Sequence, residues 1–400
     1  MYYGPVRAIS RRQWLQGLTA TGAYAQQPRS GRSSGLKITK FVTHKAEIAR
    51  RQFLFLEVQT DGGLVGLGEA SLPARVNIVE EALRWIESRM IGRDPSGVEE
   101  HWDRLYYREN RWRHGAVLVT AQSAVDIALW DLEGKALGVP VWRLLGGPIH
   151  RTLRVYYSHW DTGVRPRTPE ALARHALETR RQGWTAVKMI PQRGGTEAET
   201  VDKLVAELDA IRKAVGNSLD VGLELVERFS TRSAIELARA VAPYRPMFLE
   251  EATLRENPEA MRELADKSPV PLAGGEGLLS RYDFRRLLEA RGAAIIQPDV
   301  IHCGGITEMR KIASLAEVYG TELAPHQWYG PIAHVASLHA ASVCRNFLIH
   351  EWDGASDDVF AAVTAGTCPR QKGGTVELPD APGLGIRVDF DEFKRRFPYR

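Results

Sequence analysis

Four hundred residues, 44% hydrophobic and 26% charged, are too many for one small domain and have the composition of a globular chain rather than a disordered or fibrous one. There is no apolar run of about 18 residues to cross a bilayer as a helix, and Cys303, Cys344 and Cys368 show neither metal-finger spacing nor a disulfide framework. The net charge of +4 belongs to residues 1–35, which hold five arginines and no lysine or acidic residue. Taking those five from 53 basic side chains leaves 48 against 49 acidic ones, a net −1 with no basic face for nucleic acid.

Within that leader, Ser10-Arg11-Arg12-Gln13-Trp14-Leu15 resembles the twin-arginine export signal of bacteria. A weakly apolar stretch runs on to Tyr24, and Ala23-Tyr24-Ala25 has the small-residue pattern of a cleavage site. Trp14 replaces the usual Phe, and Gln16 interrupts the apolar stretch. The resemblance implies export in the folded state to the periplasm; the other reading is a cytoplasmic protein with a basic N-terminal extension.

From Leu36 to Ala70 the pattern alternates, with a strand at Phe53–Val58, a turn at Asp61-Gly62-Gly63 and a returning strand at Leu64–Gly68. Helical periodicity follows at about 75–90, 97–109 and 118–137, the last stopped by Gly138-Val139-Pro140. Strands and then helices predict an α+β capping domain over 36–150.

Beyond Gly146-Gly147-Pro148, short apolar strands alternate with amphipathic helices. The strands are expected at Leu153–Tyr157, Ala186–Ile190, Asp220–Glu224, Met247–Glu250, Pro271–Ala273, Ala294–Gln297, Glu322–Ala324 and Phe347–Ile349. Thr168-Pro169-Glu170 marks one helix start, a cap residue followed by proline at the first helical position. Eight strands, all but the last followed by a helix, predict an α/β fold with a (β/α)8-type barrel, a modified TIM barrel, over 151–360. Gly-rich chain over 361–400 is expected to return to the capping domain and complete it.

Active sites of such barrels lie at the carboxyl ends of the strands. Those positions carry Lys188, Glu224, Glu250, Glu276, Asp299, His326 and Glu351. Any one glutamate reads as a solvated loop carboxylate. Glu224, Glu250 and Glu276, however, come one strand–helix unit apart and should converge, and three converging anions need a cation. Oxygen ligands alone favour a hard ion, Mg²⁺ or Mn²⁺. Asp299 can orient the ring of His326 and leave its other nitrogen as a base. Lys188 is expected to hold an anionic substrate. Glu351, if the apolar surroundings of Trp352 keep it protonated, could donate a hydrogen bond to a developing oxyanion.

Phe248-Leu249-Glu250-Glu251, Gly274-Gly275-Glu276-Gly277, Gln297-Pro298-Asp299 with Gly304-Gly305-Ile306-Thr307, and Ala324-Pro325-His326 resemble the enolase superfamily. Within it they are similar to the mandelate racemase subgroup, including galactonate dehydratases and other acid-sugar dehydratases. Sites of that superfamily are known for a Lys or His base with Mg²⁺ stabilising an enediolate. The resemblance implies Mg²⁺ on Glu224, Glu250 and Glu276, a His326–Asp299 base dyad, and Glu351 at the oxyanion. Three positions depart from the pattern. Glu224 replaces the usual Asp, Val226 stands where galactonate-type dehydratases carry a general-acid His, and Ile190 replaces the second lysine of the racemases' Lys-x-Lys.

One base without a lysine opposite favours β-elimination over racemisation. The expected reaction is α-proton abstraction from a sugar acid and loss of water to a 2-keto-3-deoxy acid, catalysed by a hydro-lyase. With Val226 in place of the acid, the leaving hydroxide must be protonated by His326 or by His159, at the end of the first barrel strand. The alternatives are an acid-sugar or lactone cycloisomerase or epimerase using the same enediolate, and a sugar-acid-binding protein without turnover. Specificity is assigned to loops near 70–75 and 111–114. The expected partners are a small carboxylate substrate and further copies of the chain in a homo-oligomer, with no nucleic acid.

Overall fold

The computed structural model describes residues 35–48, 50–192 and 195–400; the Arg11-Arg12 leader lies outside the described residues. Three antiparallel strands come first: β1 (Ile38–Ile48), β2 (Arg51–Thr60) and β3 (Val65–Glu69). The predicted turn joins β2 to β3, with Gly63 at φ +77°, a left-handed conformation glycine adopts without steric cost. Gly66 and Gly68 on β3 serve close packing instead. The helix Ala116–Leu137 passes so near that Cβ atoms there would stand 2.2 Å from the Ala128 carbonyl oxygen and 2.1 Å from that of Ala124. That helix stops at Gly138, φ +68°, as expected. The stretch predicted helical at 97–109 is a short α-helix, Val98–Asp103, that loosens into a π-helical turn at Arg104–Arg108.

Eight parallel strands follow: β4 (Thr152–Tyr157), β5 (Ala186–Met189), β6 (Asp220–Glu224), β7 (Leu249–Glu250), β8 (Leu272–Gly274), β9 (Ile295–Ile296), β10 (Glu322–Leu323) and β11 (His350–Trp352). Strands β4 to β10 pair in sequence order, and β11 pairs with β4. The ring closes where Leu323 of β10 donates to the Asn346 carbonyl and accepts from the Leu348 N–H, both at 2.8 Å. The fold is thus the (β/α)8-type barrel beneath an N-terminal α+β cap.

Two details differ from expectation. Pairing of His350–Trp352 with Val155–Tyr157 moves the eighth strand beyond Phe347–Ile349, so Glu351 lies on the strand rather than after it. A short helix, Asp357–Val363, does follow that strand. The tail then serves both layers. β12 (Thr375–Glu377) pairs antiparallel with the start of β4. The helix Phe390–Arg396 reaches the cap, where Phe390 stacks on His44 at 4.0 Å and Phe393 meets Phe55 edge-on at 4.9 Å. One apolar core therefore runs from Phe53, Phe55 and Leu67 through Val155, Ile296 and Leu338 to Phe390 and Phe393.

Inside the barrel, Tyr156, Ala186, Phe248, Ala273, Ile295, Ala324 and Ile349 pack as one cluster. Gly222 keeps β6 clear of Phe248, whose ring a Cβ would meet at 2.7 Å. This floor fixes what stands above it, because residues two apart on a strand share a face.

Candidate active site

Two residues beyond the floor positions come Ser158 after Tyr156, Lys188 after Ala186, Glu224 after Gly222, Glu250 after Phe248, His326 after Ala324 and Glu351 after Ile349. The alternation that buries an apolar floor also aims these polar groups into the ring. Glu276 and Asp299 sit further along, after backbone breaks the simple period; Gly275, at φ +119°, makes one of those turns.

Glu224, Glu250 and Glu276 each offer a carboxylate oxygen, and the three oxygens lie within 4.8 Å of one another. Burial and the neighbouring Glu224 charge push the Glu250 carboxyl well above the usual range, as expected where like charges crowd in a dry site. Three oxygen donors at that spacing suit a hard divalent ion and offer nothing to a soft one. Counting Glu351 and Asp299, five carboxylates face the Lys188 ammonium and the His326 ring. The donor set therefore fits Mg²⁺ in both chemistry and charge.

Lys188 meets carboxylates of its own chain. It is 1% exposed, and its ammonium lies 2.8 Å from Glu250, 3.1 Å from Glu224 and 3.0 Å from Glu351. Its charge is committed to carboxylates of its own chain, because strands β5, β6, β7 and β11 all point into one ring. Burial opposes that charge, but Glu250 and Glu351 outweigh it and hold the ammonium protonated well above its ordinary range.

His326 Nδ1 donates to Asp299 Oδ2 at 2.6 Å, and Asp299 Oδ1 accepts from the Ile301 N–H at 2.9 Å. The free nitrogen is Nε2, which lies 3.4 Å from Glu276 and 3.9 Å from Glu351. Burial disfavours the imidazolium, yet Glu276, Glu351 and Asp299 together raise its pKa well above the usual value.

Glu351 meets charged and hydrogen-bonding neighbours rather than the apolar surroundings considered from sequence. It accepts from Ser158 Oγ at 2.5 Å and from the Gln327 N–H at 2.9 Å. Burial works against ionisation, but Lys188 and His326 hold the carboxyl well below its ordinary range. Trp352, the supposed apolar neighbour, points to the other face of the strand and packs on His334 at 4.7 Å. Ser158 and the Gln327 backbone are functional contacts that the sequence reading missed. Ser158 was accessible to it, since it follows the inward Tyr156 by the same two-residue step.

After Glu224, Val226 and Glu227 both take positive φ, +52° and +54°, and the Val226 N–H returns to Glu224 Oε1 at 3.0 Å. Non-glycine residues rarely adopt this region, β-branched ones least of all. A tight left-handed turn thus follows the longer acid. Of the loops assigned to specificity, 70–75 is anchored through the Ala74 N–H to Gln52, and in 111–114 Trp112 is 84% exposed.

Residues 36–146 match the mandelate racemase / muconate lactonizing enzyme N-terminal domain, and residues 171–392 match the enolase C-terminal domain-like family. The chain is 36% identical over 373 residues to the D-galactonate dehydratase of Xanthomonas oryzae pv. oryzae, covering 90% of this chain and 94% of that protein. It is 38% identical to the D-galactonate dehydratase of Klebsiella pneumoniae, covering 91% and 96%. A mandelate racemase/muconate lactonizing enzyme-like protein from Roseovarius sp. superposes with TM-score 0.85 at 31% identity, over 91% of this chain and 96% of that one. The mandelate racemase/muconate lactonizing enzyme from Jannaschia sp. gives 0.84 at 31% identity, over 91% and 98%. With both domains matched and the carboxylate ring and His–Asp pair in place, the chain belongs to the mandelate racemase / muconate lactonizing enzyme family of the enolase superfamily.

Proposed function

We propose that this enzyme, a lyase of the hydro-lyase type, removes the α-proton of a sugar-acid carboxylate and expels the β-hydroxyl as water, giving a 2-keto-3-deoxy acid. The observation that carries this reading is the juxtaposition of three convergent glutamates with a histidine whose Nδ1 is tied to an aspartate, leaving Nε2 beside them. The similar proteins named D-galactonate dehydratase make D-galactonate the first substrate to try.

The α-proton of a carboxylate is very weakly acidic, so its removal demands strong stabilisation of the enediolate. Glu224, Glu250 and Glu276 would hold Mg²⁺, which supplies positive charge for the substrate carboxylate and its enediolate. His326 Nε2 receives the α-proton, and Asp299 fixes the ring so that this nitrogen faces the substrate. Lys188 acts as an internal counter-ion, keeping Glu224 and Glu250 together in a geometry their mutual repulsion would otherwise open. Ionised Glu351 steadies the His326 charge once the proton has arrived. Ile190, an alkyl side chain just past the second barrel strand, leaves that position without a base and favours elimination over racemisation.

The proposal extends to organisation. Residues 36–150 act as the cap, 151–360 as the barrel, and 361–400 as a tail that ties them; residues 1–35 direct export. Incubation of the purified protein with a panel of acid sugars in deuterated water tests the function. Formation of 2-keto acid supports dehydration, deuterium uptake without loss of water supports an epimerase or cycloisomerase, and neither points to a binding protein. His326→Asn should abolish product and α-deuterium exchange while leaving substrate affinity within a fewfold. Exchange at the wild-type rate in that variant places the base elsewhere.

A further inference from the structure

Loss of hydroxide from a sugar acid needs a proton at the departing oxygen, and Val226 has none to give. The structure supplies another group. Ser158 and His159 follow β4, and β4 and β10 flank β11 on either side. Ser158–His159 and His326 therefore approach Glu351, on the middle strand, from opposite neighbours.

The hydrogen bonds fix the orientation of His159. Ser158 Oγ lies 2.5 Å from Glu351 Oε1 and 2.6 Å from His159 Nδ1. An ionised carboxylate only accepts, and a hydroxyl has one proton, so Ser158 donates to Glu351 and must accept from His159 Nδ1–H. Nε2 is the nitrogen of His159 left for a ligand. The ring stacks on Trp328 at 5.2 Å, and Arg51 of the cap covers that indole at 5.0 Å while bonded to Asp353 at 2.7 Å. His159 also takes φ +53°, an unusual conformation that persists where the surroundings over-determine it.

His159 and Trp328 stand in the wall of a cavity of about 750 Å³, shared with Arg51, Arg165, Arg174, His175 and Asp353. The arginines keep their protons at any working pH. Burial opposes ionisation of Asp353, but the Arg51 guanidinium and the Ser356 hydroxyl outweigh it and hold the carboxyl below its ordinary range. His175 Nε2 is bonded to the Trp160 carbonyl at 3.0 Å. Among the described residues of this wall, His159 is the one titratable group joined by hydrogen bonds to the catalytic ring.

We propose that His159 is the catalytic acid that delivers a proton from Nε2 to the departing β-hydroxyl, with Ser158 and Glu351 as its positioning residues. The assignment rests on the dehydration reading. His326 takes the α-proton, and the electron pair of that C–H bond passes into the carboxylate as an enediolate, which then returns it to form the C2=C3 double bond. The C3–O bond breaks as the His159 imidazolium transfers its proton to that oxygen, and water departs. His159 is left neutral and His326 protonated; the enol becomes the 2-keto acid by losing its hydroxyl proton and gaining one at C3, and solvent exchange resets the two rings. Burial and the Lys188 ammonium lower the pKa of His159, which makes its conjugate acid a ready donor.

The test uses the Mg²⁺-loaded enzyme with the acid sugar that the wild type dehydrates, D-galactonate first, and the 3-deoxy-3-fluoro analogue of that sugar. Fluoride leaves without a proton. His159→Asn should cut 2-keto acid formation about 10²–10³-fold, within the range of general acid catalysis, while α-deuterium exchange stays within about fivefold of wild type and the fluoro analogue is eliminated within about tenfold. Ser158→Ala should show the same pattern more weakly, and it serves if His159→Asn does not fold. Unchanged dehydration, or equal loss of exchange, dehydration and fluoride release, overturns the assignment. A wild type that forms no 2-keto acid from any sugar acid overturns the dehydration reading, and the assignment with it.

Discussion

Lys188→Met removes a buried ammonium while nearly keeping the side chain's length. The wild-type charge sits within 3.1 Å of Glu224, Glu250 and Glu351. Removing one partner of a buried ion pair costs about 3–5 kcal/mol, because the other charge stays buried and uncompensated. Here three carboxylates share that partner, so the upper half of the range is expected for unfolding by urea in the presence of a chelator. The folded-state pKa of Lys188 lies above its ordinary 10.5. Its contribution is therefore fully present below that value and is lost only as the pH rises through the higher folded value. Titration of Lys188 itself accordingly adds no pH dependence to the deficit between pH 7 and pH 9. Excess Mg²⁺ should shrink the deficit, since a cation on Glu224 and Glu250 replaces the missing charge and binds the folded state alone. A variant within about 0.5 kcal/mol of wild type in chelator would refute the counter-ion role. A deficit that Mg²⁺ leaves untouched would separate Lys188 from the proposed metal site.

Glu250→Gln should keep the fold but lose activity, and titration calorimetry should show Mg²⁺ binding weakened at least tenfold; full activity in this variant or in excess chelator removes the metal assignment. Asp299→Asn should lower kcat about 10²–10⁴-fold, the span of general-base catalysis, with KM nearly unchanged, because the imidazole loses its orienting partner at 2.6 Å; a loss under tenfold argues against the dyad. Mature protein from the native host should begin near Gln26 outside the cytoplasm, and mass spectrometry finding Met1 on cytoplasmic protein refutes export. Deleting residues 1–35 should leave the melting temperature within about 1 °C, since the apolar core of the described residues is built from Ile38 onward; a larger drop would refute this.

Local pattern was enough to read much of this protein. Gly138 stops its helix, Thr168 caps the helix Pro169–Arg181 by accepting from the Ala171 N–H at 3.2 Å, and Asp220–Glu224 is a strand with the expected ends. Such features depend on φ preference, capping and a period of two, all of which act within a few residues. The same period placed Lys188, Glu224, Glu250 and His326 at strand ends that face one ring.

The charge state and partners of those groups were decided elsewhere. Glu351 was open to a donor's role if Trp352 kept it protonated, yet Lys188, 163 positions earlier in the chain, lies 3.0 Å away and Ser158 donates from just past the adjoining strand, and both favour its ionised form. Lys188 read as a hand for the substrate and is enclosed by carboxylates of its own chain. Electrostatic energies depend on distance through space and on burial, and neither exists until β11 pairs with β4 and the ring closes. Strand periodicity, written locally, therefore names the groups that face the centre; closure of the barrel determines which of them carry charge, and toward what.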